Sequence, residues 1–235
     1  MRKLALSDEI LLKVDKAARY IGGEVNSVMK DKNEVEIRFA MCFPDVYEIG
    51  MSNLGMMILY NMFNQREDVW CERLFSPWPD LDKVMREQNI PLFALESQEP
   101  IRDFDFLGIT LGYEMCYTNI LQVLDLSGIP LKSADRGEDF PIVIGGGACA
   151  YNPEPLAPFL ICFISEKGKL FMMHFLMHTR PIKRLAAAGE ISFWQQLRFL
   201  EFMFRLSMKL PIKKMVRSHP LHRRRMVFLR RSRNS

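Results

Sequence analysis

The sequence predicts an α/β fold: a parallel sheet with helices on both faces. Short β-branched and aromatic runs at residues 35–43, 70–75, 104–111 and 142–144 alternate with stretches of helical periodicity. The last run ends in Gly145, Gly146 and Gly147 and is followed by Asn-Pro-Glu-Pro, which reads as a capped helix start. Strand, glycine turn and helix entry together mark the edge where an open parallel sheet presents bare backbone to a ligand. The three glycines carry no Cβ, so this turn is a candidate for close ligand approach. Their spacing is not G-x-G-x-x-G and no Walker lysine follows, which excludes the common nucleotide-phosphate motifs.

Residues 8–17 read as a short amphipathic helix, and Ile-Gly-Gly-Glu-Val-Asn from position 21 as a loop. The run at 35–43 is a strand, first alternating and then apolar, that ends at Pro44. Residues 45–50 form a turn, and 53–63 a helix with Leu54, Met57, Ile58 and Tyr60 at helical spacing. A second strand follows at 70–75, a helix with a charged face at 79–88, and a short strand at 91–95. Residues 104–111 enter the core as a strand, and a helix at 118–126 is closed by Ser127-Gly128. The carboxyl edge of the resulting sheet collects residues 44–50, 112–116 and 145–149, where ligands of such folds sit.

Charge divides the chain in two. Residues 1–159 hold 15 Lys and Arg against 25 Asp and Glu, a net of −10, whereas residues 160–235 hold 17 against 3, a net of +14. The second part has no Asp, all four histidines and seven of the sixteen methionines. No signal peptide or uncharged apolar run of membrane-spanning length is present. The five cysteines, Cys42, Cys71, Cys116, Cys149 and Cys162, are scattered without a C-x-x-C pair, which predicts reduced thiols and a cytoplasmic setting.

The strings FPDVYEIGMSNLGMMILY, REDVWCERLFSPWPD, IPLFALES, DFDFLGITLGYE, YTNILQVLDLSGIPL and IVIGGGACAYNPEPLA resemble the N-terminal half of a family of radical SAM proteins. The resemblance covers roughly residues 15–159. It implies a Rossmann-like, cobalamin-binding-like domain at residues 30–165, preceded by a lead-in at 1–29 and followed by a basic tail at 166–235. In full-length relatives it implies a radical SAM barrel as intramolecular partner, with a [4Fe–4S] cluster that cleaves S-adenosylmethionine.

Cobalamin is the cofactor this resemblance implies, and Asp45, Tyr47, Gly50, Gly145, Gly146 and Gly147 are the residues it assigns to the cofactor. Residues 45–50 match the family's D-x-H-x-x-G in spacing and position, with Tyr47 where the imidazole that coordinates cobalt would stand. A phenol, protonated at neutral pH, is a poor cobalt ligand. The nucleotide tail of the cofactor would run past the glycine turn. A turn-forming Asp and Gly need no cofactor to explain them, so a fold that no longer binds cobalamin stays open.

No catalytic residue is assigned. Radical SAM chemistry needs three clustered cysteine thiolates, usually C-x-x-x-C-x-x-C. The closest two cysteines here, Cys149 and Cys162, stand thirteen positions apart. The chain is therefore expected to be inactive alone.

The change of composition has a simple explanation in the genetic code. After Ala-Pro-Phe at 157–159 the family pattern continues with an apolar stretch and a G-E-G-E string, where this chain has Leu160 and a Ser-Glu-Lys-Gly-Lys run. Permissible codons for residues 159–174, read from the third base of the first, give FDLFYIGEGETVYDA. Methionine has one codon, so Met172-Met173-His174 forces Asp-Ala in the shifted register, and Met177-His178 does so again. The shifted stretch becomes YDAFLDAYKA. The expectation is a gene that lost one base near Phe159, leaving an out-of-register tail. Two alternatives stand beside it. One is a stand-alone cobalamin- or nucleotide-binding module. The other is an RNA- or membrane-associating protein acting through its basic tail, although no specific nucleic-acid module is recognisable and polyanion attraction would follow from charge alone.

Overall fold

Five parallel strands form one sheet in the order β2-β1-β3-β4-β5. The computed structural model describes residues 4–137 and 139–164, so readings that fall on the tail from 166 onward lie outside the described residues. The strands are β1 (Ile37–Phe43), β2 (Val69–Phe75), β3 (Phe106–Thr110), β4 (Ile142–Gly146) and β5 (Cys162–Ile164). Phe39 pairs with Cys71 on one side and Phe106 on the other, Phe106 pairs with Ile142, and Ile144 with Cys162. The glycine strand is thus interior, between β3 and β5, and its glycines lie at the carboxyl edge, as the sequence predicts.

The helices are α1 (Asp8–Leu11), α2 (Ala18–Ile21), α3 (Tyr47–Met51), α4 (Leu54–Asn64), α5 (Pro79–Gln88) and α6 (Tyr117–Leu126). The connection from β1 to β2 crosses the sheet in one direction and all later connections cross in the other. Right-handed crossovers therefore put α4 on one face and α5 and α6 on the opposite face. On the first face Met56, Tyr60 and Phe63 of α4 join Phe39, Met41, Phe43, Phe106 and Ile144. On the second, Leu81 and Met85 of α5 and Ile120, Val123 and Leu124 of α6 join Ala40, Leu107 and Val143. The N-terminal segment adds Leu6, Ile10, Val14 and Tyr20 to this second core. Burial on both faces is why the strands read as near-continuous apolar runs. Among the described residues no helix is long and apolar enough to cross a membrane.

Local chemistry sets the ends of the elements. The Asn53 side chain accepts the Met56 N–H at 2.9 Å and starts α4. Asn53→Ala is expected to lower stability by about 1 kcal/mol, measured by urea unfolding. Pro79 opens α5, and Asn89, at φ 53°, closes it in the left-handed conformation.

Three predicted elements are corrected. The helix expected at 8–17 shrinks to the single turn Asp8–Leu11, and Lys16, at a φ of 51°, turns the chain before a second short helix begins at Ala18. The segment at 91–95 makes one antiparallel bridge, Phe93 to Pro100, rather than a strand. Its donors go to separate partners, Leu92 N–H to Leu126 O and Leu95 N–H to Arg73 O, and Gln98 (φ 66°) folds the chain back. Segment 95–97 thereby covers the outer edge of β2, which would otherwise present unpaired backbone groups. After the glycine turn the chain forms the 3-10 turns Ala148–Tyr151 and Glu154–Leu156, not a full helix. Pro153 and Pro155 have no N–H to sustain one.

Candidate functional site

In a sheet of order 2-1-3-4-5 the strand order reverses between β1 and β3, and ligands of such folds sit outside the carboxyl ends at that point. Asp45 follows β1, and Tyr113 follows β3. Across the switch point the Tyr113 hydroxyl donates to Asp45 Oδ2 in a short hydrogen bond, which raises the phenol pKa and keeps the proton on tyrosine. Asn119, in the first turn of α6, donates to Pro44 O at 3.0 Å and fixes the same two loops to each other. The sequence places residues 112–116 and 44–50 at one edge but does not single out Tyr113 or Asn119, because nothing in the linear order says which side chains of those loops meet.

The glycine turn meets this loop from the other side. Leu111 N–H donates to Gly146 O at 2.6 Å, and Cys149 N–H donates to Leu111 O at 3.0 Å. Segment 111–116 is therefore the bridge between Asp45 and the glycine turn. A Cβ on Gly145 would come within 2.8 Å of the Leu111 and Leu160 side chains, and one on Gly147 within 2.6 Å of Leu111 O. The room left by these two glycines is taken by the protein's own chain. The open position is Gly112, exposed beside Tyr113, where a Cβ would meet nothing within 4 Å.

Tyr47 points elsewhere. Its hydroxyl donates to Glu24 Oε1 at 3.1 Å and its ring packs edge-on against Phe75 at 5.4 Å. Burial, then the Glu24 carboxylate, raises its pKa above the ordinary phenol value, so it is protonated at neutral pH. The other Glu24 oxygen accepts from Arg73 Nη2 at 3.2 Å. Arg73 is fully buried; its Nε donates to Glu96 at 2.6 Å and its guanidinium lies 4.6 Å from the Tyr60 ring. Tyr47 thus belongs to a buried polar network that ties the lead-in loop to α3 and β2. Gly50 is structural too, since a Cβ there would run into the Phe75 ring at 2.2 Å.

The thiols near this edge are held in their protonated form. Burial raises the pKa of both Cys116 and Cys149, so neither is a thiolate at neutral pH. Around the switch point apolar side chains are exposed beside the carboxylates of Glu48 and Glu114. Ile49 after β1, Trp78 after β2, Tyr113 and Met115 after β3 and Tyr151 after β4 are all exposed, Met115 to 86% and Tyr151 to 60%. These apolar groups follow the carboxyl ends of four strands of the sheet.

Comparison with known proteins gives a consistent result. The model of a family described as radical SAM proteins, N-terminal, matches residues 55–203. A curated relative, the uncharacterized protein MJ0966 of Methanocaldococcus jannaschii, is 25% identical over 126 residues, covering 53% of this chain and 22% of the relative. The chain thus spans about a fifth of that relative's length. No solved structure matches.

Proposed function

Since the chain belongs to the radical SAM protein family through its N-terminal region, we propose that it is the cobalamin-binding-like domain of such a protein, holding cobalamin at the carboxyl edge of its sheet. The observation that carries this reading is the switch point itself, where the loops after β1 and β3 are joined by the Tyr113–Asp45 hydrogen bond, with Gly112 open beside it and apolar side chains exposed at the same edge. The flat face of a corrin would lie on such apolar side chains, and its peripheral amides would donate to the Asp45 carboxylate beside the Tyr113 hydroxyl. Residue 47 would not supply a ligand to cobalt, because the Tyr47 hydroxyl donates to Glu24. Gly145 and Gly147 serve the cleft indirectly, by letting Leu111 seat the 111–116 loop.

In relatives that carry a barrel, the iron–sulfur cluster and S-adenosylmethionine supply the radical chemistry. This chain's residues bind and orient, and its four described cysteines are buried and free. The reading of a register break near Phe159 accounts for the loss of Asp and the gain of Met and Arg beyond it. The family match, which runs on to residue 203, bears against an abrupt break there. Genomic DNA decides: a frame that resumes with a three-cysteine motif supports the break, and a frame continuous with residues 160–235 abolishes it.

The cofactor reading is tested by titrating hydroxocobalamin into the purified chain and following retention and absorbance. Cobalamin should co-elute with the protein, and Tyr47→Phe should leave the bound spectrum unchanged. Gly112→Leu should weaken retention by about tenfold or more, equivalent to 1.4 kcal/mol, without lowering the melting temperature. Failure of the native chain to retain cobalamin would refute the reading.

A further inference from the structure

Glu24 lies in a cradle suited to any carboxylate. Its Oε1 accepts from the Tyr47 hydroxyl at 3.1 Å, and its Oε2 accepts from Ser27 Oγ at 3.0 Å and Arg73 Nη2 at 3.2 Å. Two of these donors are anchored without it. Arg73 is fully buried and bonded to Glu96 through Nε and its backbone N–H, and the Tyr47 ring packs on Phe75. The turn that brings Glu24 is fastened differently from the rest of the fold. Residues 24–27 close on themselves through Ser27 N–H to Glu24 O at 2.9 Å. Before them Gly22 and Gly23 take φ of 61° and 87°, and a Cβ on Gly23 would meet nothing within 4 Å. After them the chain is pinned. Val28 N–H donates to the Tyr60 hydroxyl and Val28 O accepts from Trp70, while Lys30 donates to the carbonyls of Asn64, Arg66 and Val69. Between hinge and pin, Val25 is the turn's one apolar side chain, and it is fully exposed. The turn's fastenings are polar: Tyr47 and Arg73 to Glu24, and Arg73 also to Asn26 and Ser27. Polar bonds are exchanged for bonds to water when a segment lifts, so a turn held in this way opens more readily than one that buries apolar surface.

We infer that Tyr47 and Arg73 form a binding site for the carboxylate of a small ligand, that Glu24 is its built-in stopper, and that the turn 24–27 lifts on Gly22 and Gly23 to admit it. With the turn raised, Nη1 and Nη2 of Arg73 lose Asn26, Ser27 and Glu24 together. The guanidinium can then grip a carboxylate with two prongs beside the Tyr47 hydroxyl. Charge is conserved, since one carboxylate leaves as another arrives and Arg73 keeps its pairing with Glu96. A phosphate ester would bring about −1.5 to −2 charges beside Glu96, so the site favours the singly charged group. The site is distinct from the switch point, because the Tyr47 hydroxyl faces Glu24, and it requires neither cobalamin nor a register break.

Glu24→Ala deletes the heavy atoms of one acetate, which makes acetate the probe. The variant should melt below the native chain, and sodium acetate at about 0.1 M should restore at least half of the loss, where sodium chloride at equal ionic strength does not. The native chain, its site already filled by Glu24, should gain nothing from acetate. Tyr47→Phe on the Glu24→Ala background should demand about tenfold more acetate, the effect of one lost bond to a charged group. In the native chain, amide relaxation dispersion should show residues 24–27 exchanging on the microsecond-to-millisecond scale while β1 and β2 stay quiet. Recovery no greater with acetate than with chloride would overturn the site. Flat dispersion profiles across residues 24–27 would overturn the lifting stopper.

Discussion

Arg73→Ala should cost the domain about 3–5 kcal/mol of stability, the usual effect of removing one partner of a buried ion pair. Arg73 and Glu96 are both fully buried, and Arg73 holds Glu96 twice, through Nε and through its backbone N–H, each at 2.6 Å. Nη1 donates to Asn26 at 3.1 Å and Nη2 to Ser27 at 2.8 Å as well as to Glu24. Truncation would leave Glu96 without its counter-charge and release the lead-in loop from β2. The two partners are affected unequally. Burial works against the Arg73 charge, but Glu96, Tyr60 and Glu24 outweigh it and raise its pKa. Burial pushes the Glu96 carboxyl up to about 7, although Arg73 pulls it back. As pH rises above about 7 the pair becomes fully charged and needs both members.

The pH dependence follows from the sign of the Glu96 shift. Its folded pKa lies above the ordinary value of 4.5, so the folded protein takes up a proton that the unfolded chain leaves off between those limits. The Glu96 contribution is fully present below 4.5 and is lost as pH rises through about 7. Without Arg73 the carboxyl would titrate higher still. The deficit of Arg73→Ala should therefore be largest at about pH 8 and shrink toward about pH 5.5, read from urea midpoints at the two values. A deficit independent of pH would mean that Glu96 is not the group left behind.

Much of the fold was legible because it depends on pattern. Strands buried on both faces announce themselves as apolar runs, and the alternation of strand and helix leads to a parallel sheet. What pattern could not supply was order. That β1 sits between β2 and β3, and hence that Asp45 faces Tyr113, is a property of crossovers, not of any local string. The roles of Tyr47 and the glycines were hidden for the same reason. Tyr47 stands at the right spacing for a ligand, yet its partner, Glu24, comes from a loop before the first strand. The glycines of the turn suggest close approach by a ligand, and what lies against two of them is Leu111, from the end of β3. Gly112, which faces open space at this edge, stands alone in the sequence and forms no motif.

Gly147→Ala should then be far more damaging than Gly112→Ala, although the two positions lie on neighbouring loops of one edge. Gly147 has a φ of 129°, a conformation that L residues rarely adopt. A Cβ there would meet Leu111 O at 2.6 Å, the carbonyl carbon at 3.0 Å and the amide nitrogen at 3.1 Å. That backbone cannot retreat without loss. Leu111 N–H is bonded to Gly146 O, and Leu111 O accepts from Cys149 N–H, so moving it breaks the joint between the β3 loop and the glycine turn. Backbone strain of about 1–3 kcal/mol and overpacking of similar size give an expected loss of about 2–4 kcal/mol, allowing for partial relaxation. Gly112 has neither a left-handed φ nor a neighbour within 4 Å of an added Cβ. Gly112→Ala should change stability by no more than about 0.5 kcal/mol, or raise it slightly by restricting the unfolded chain. Thermal melts of both variants decide the matter. If Gly147→Ala proves as mild as Gly112→Ala, the turn is not packed against Leu111, and its open backbone is free to be the ligand contact that the sequence alone suggests.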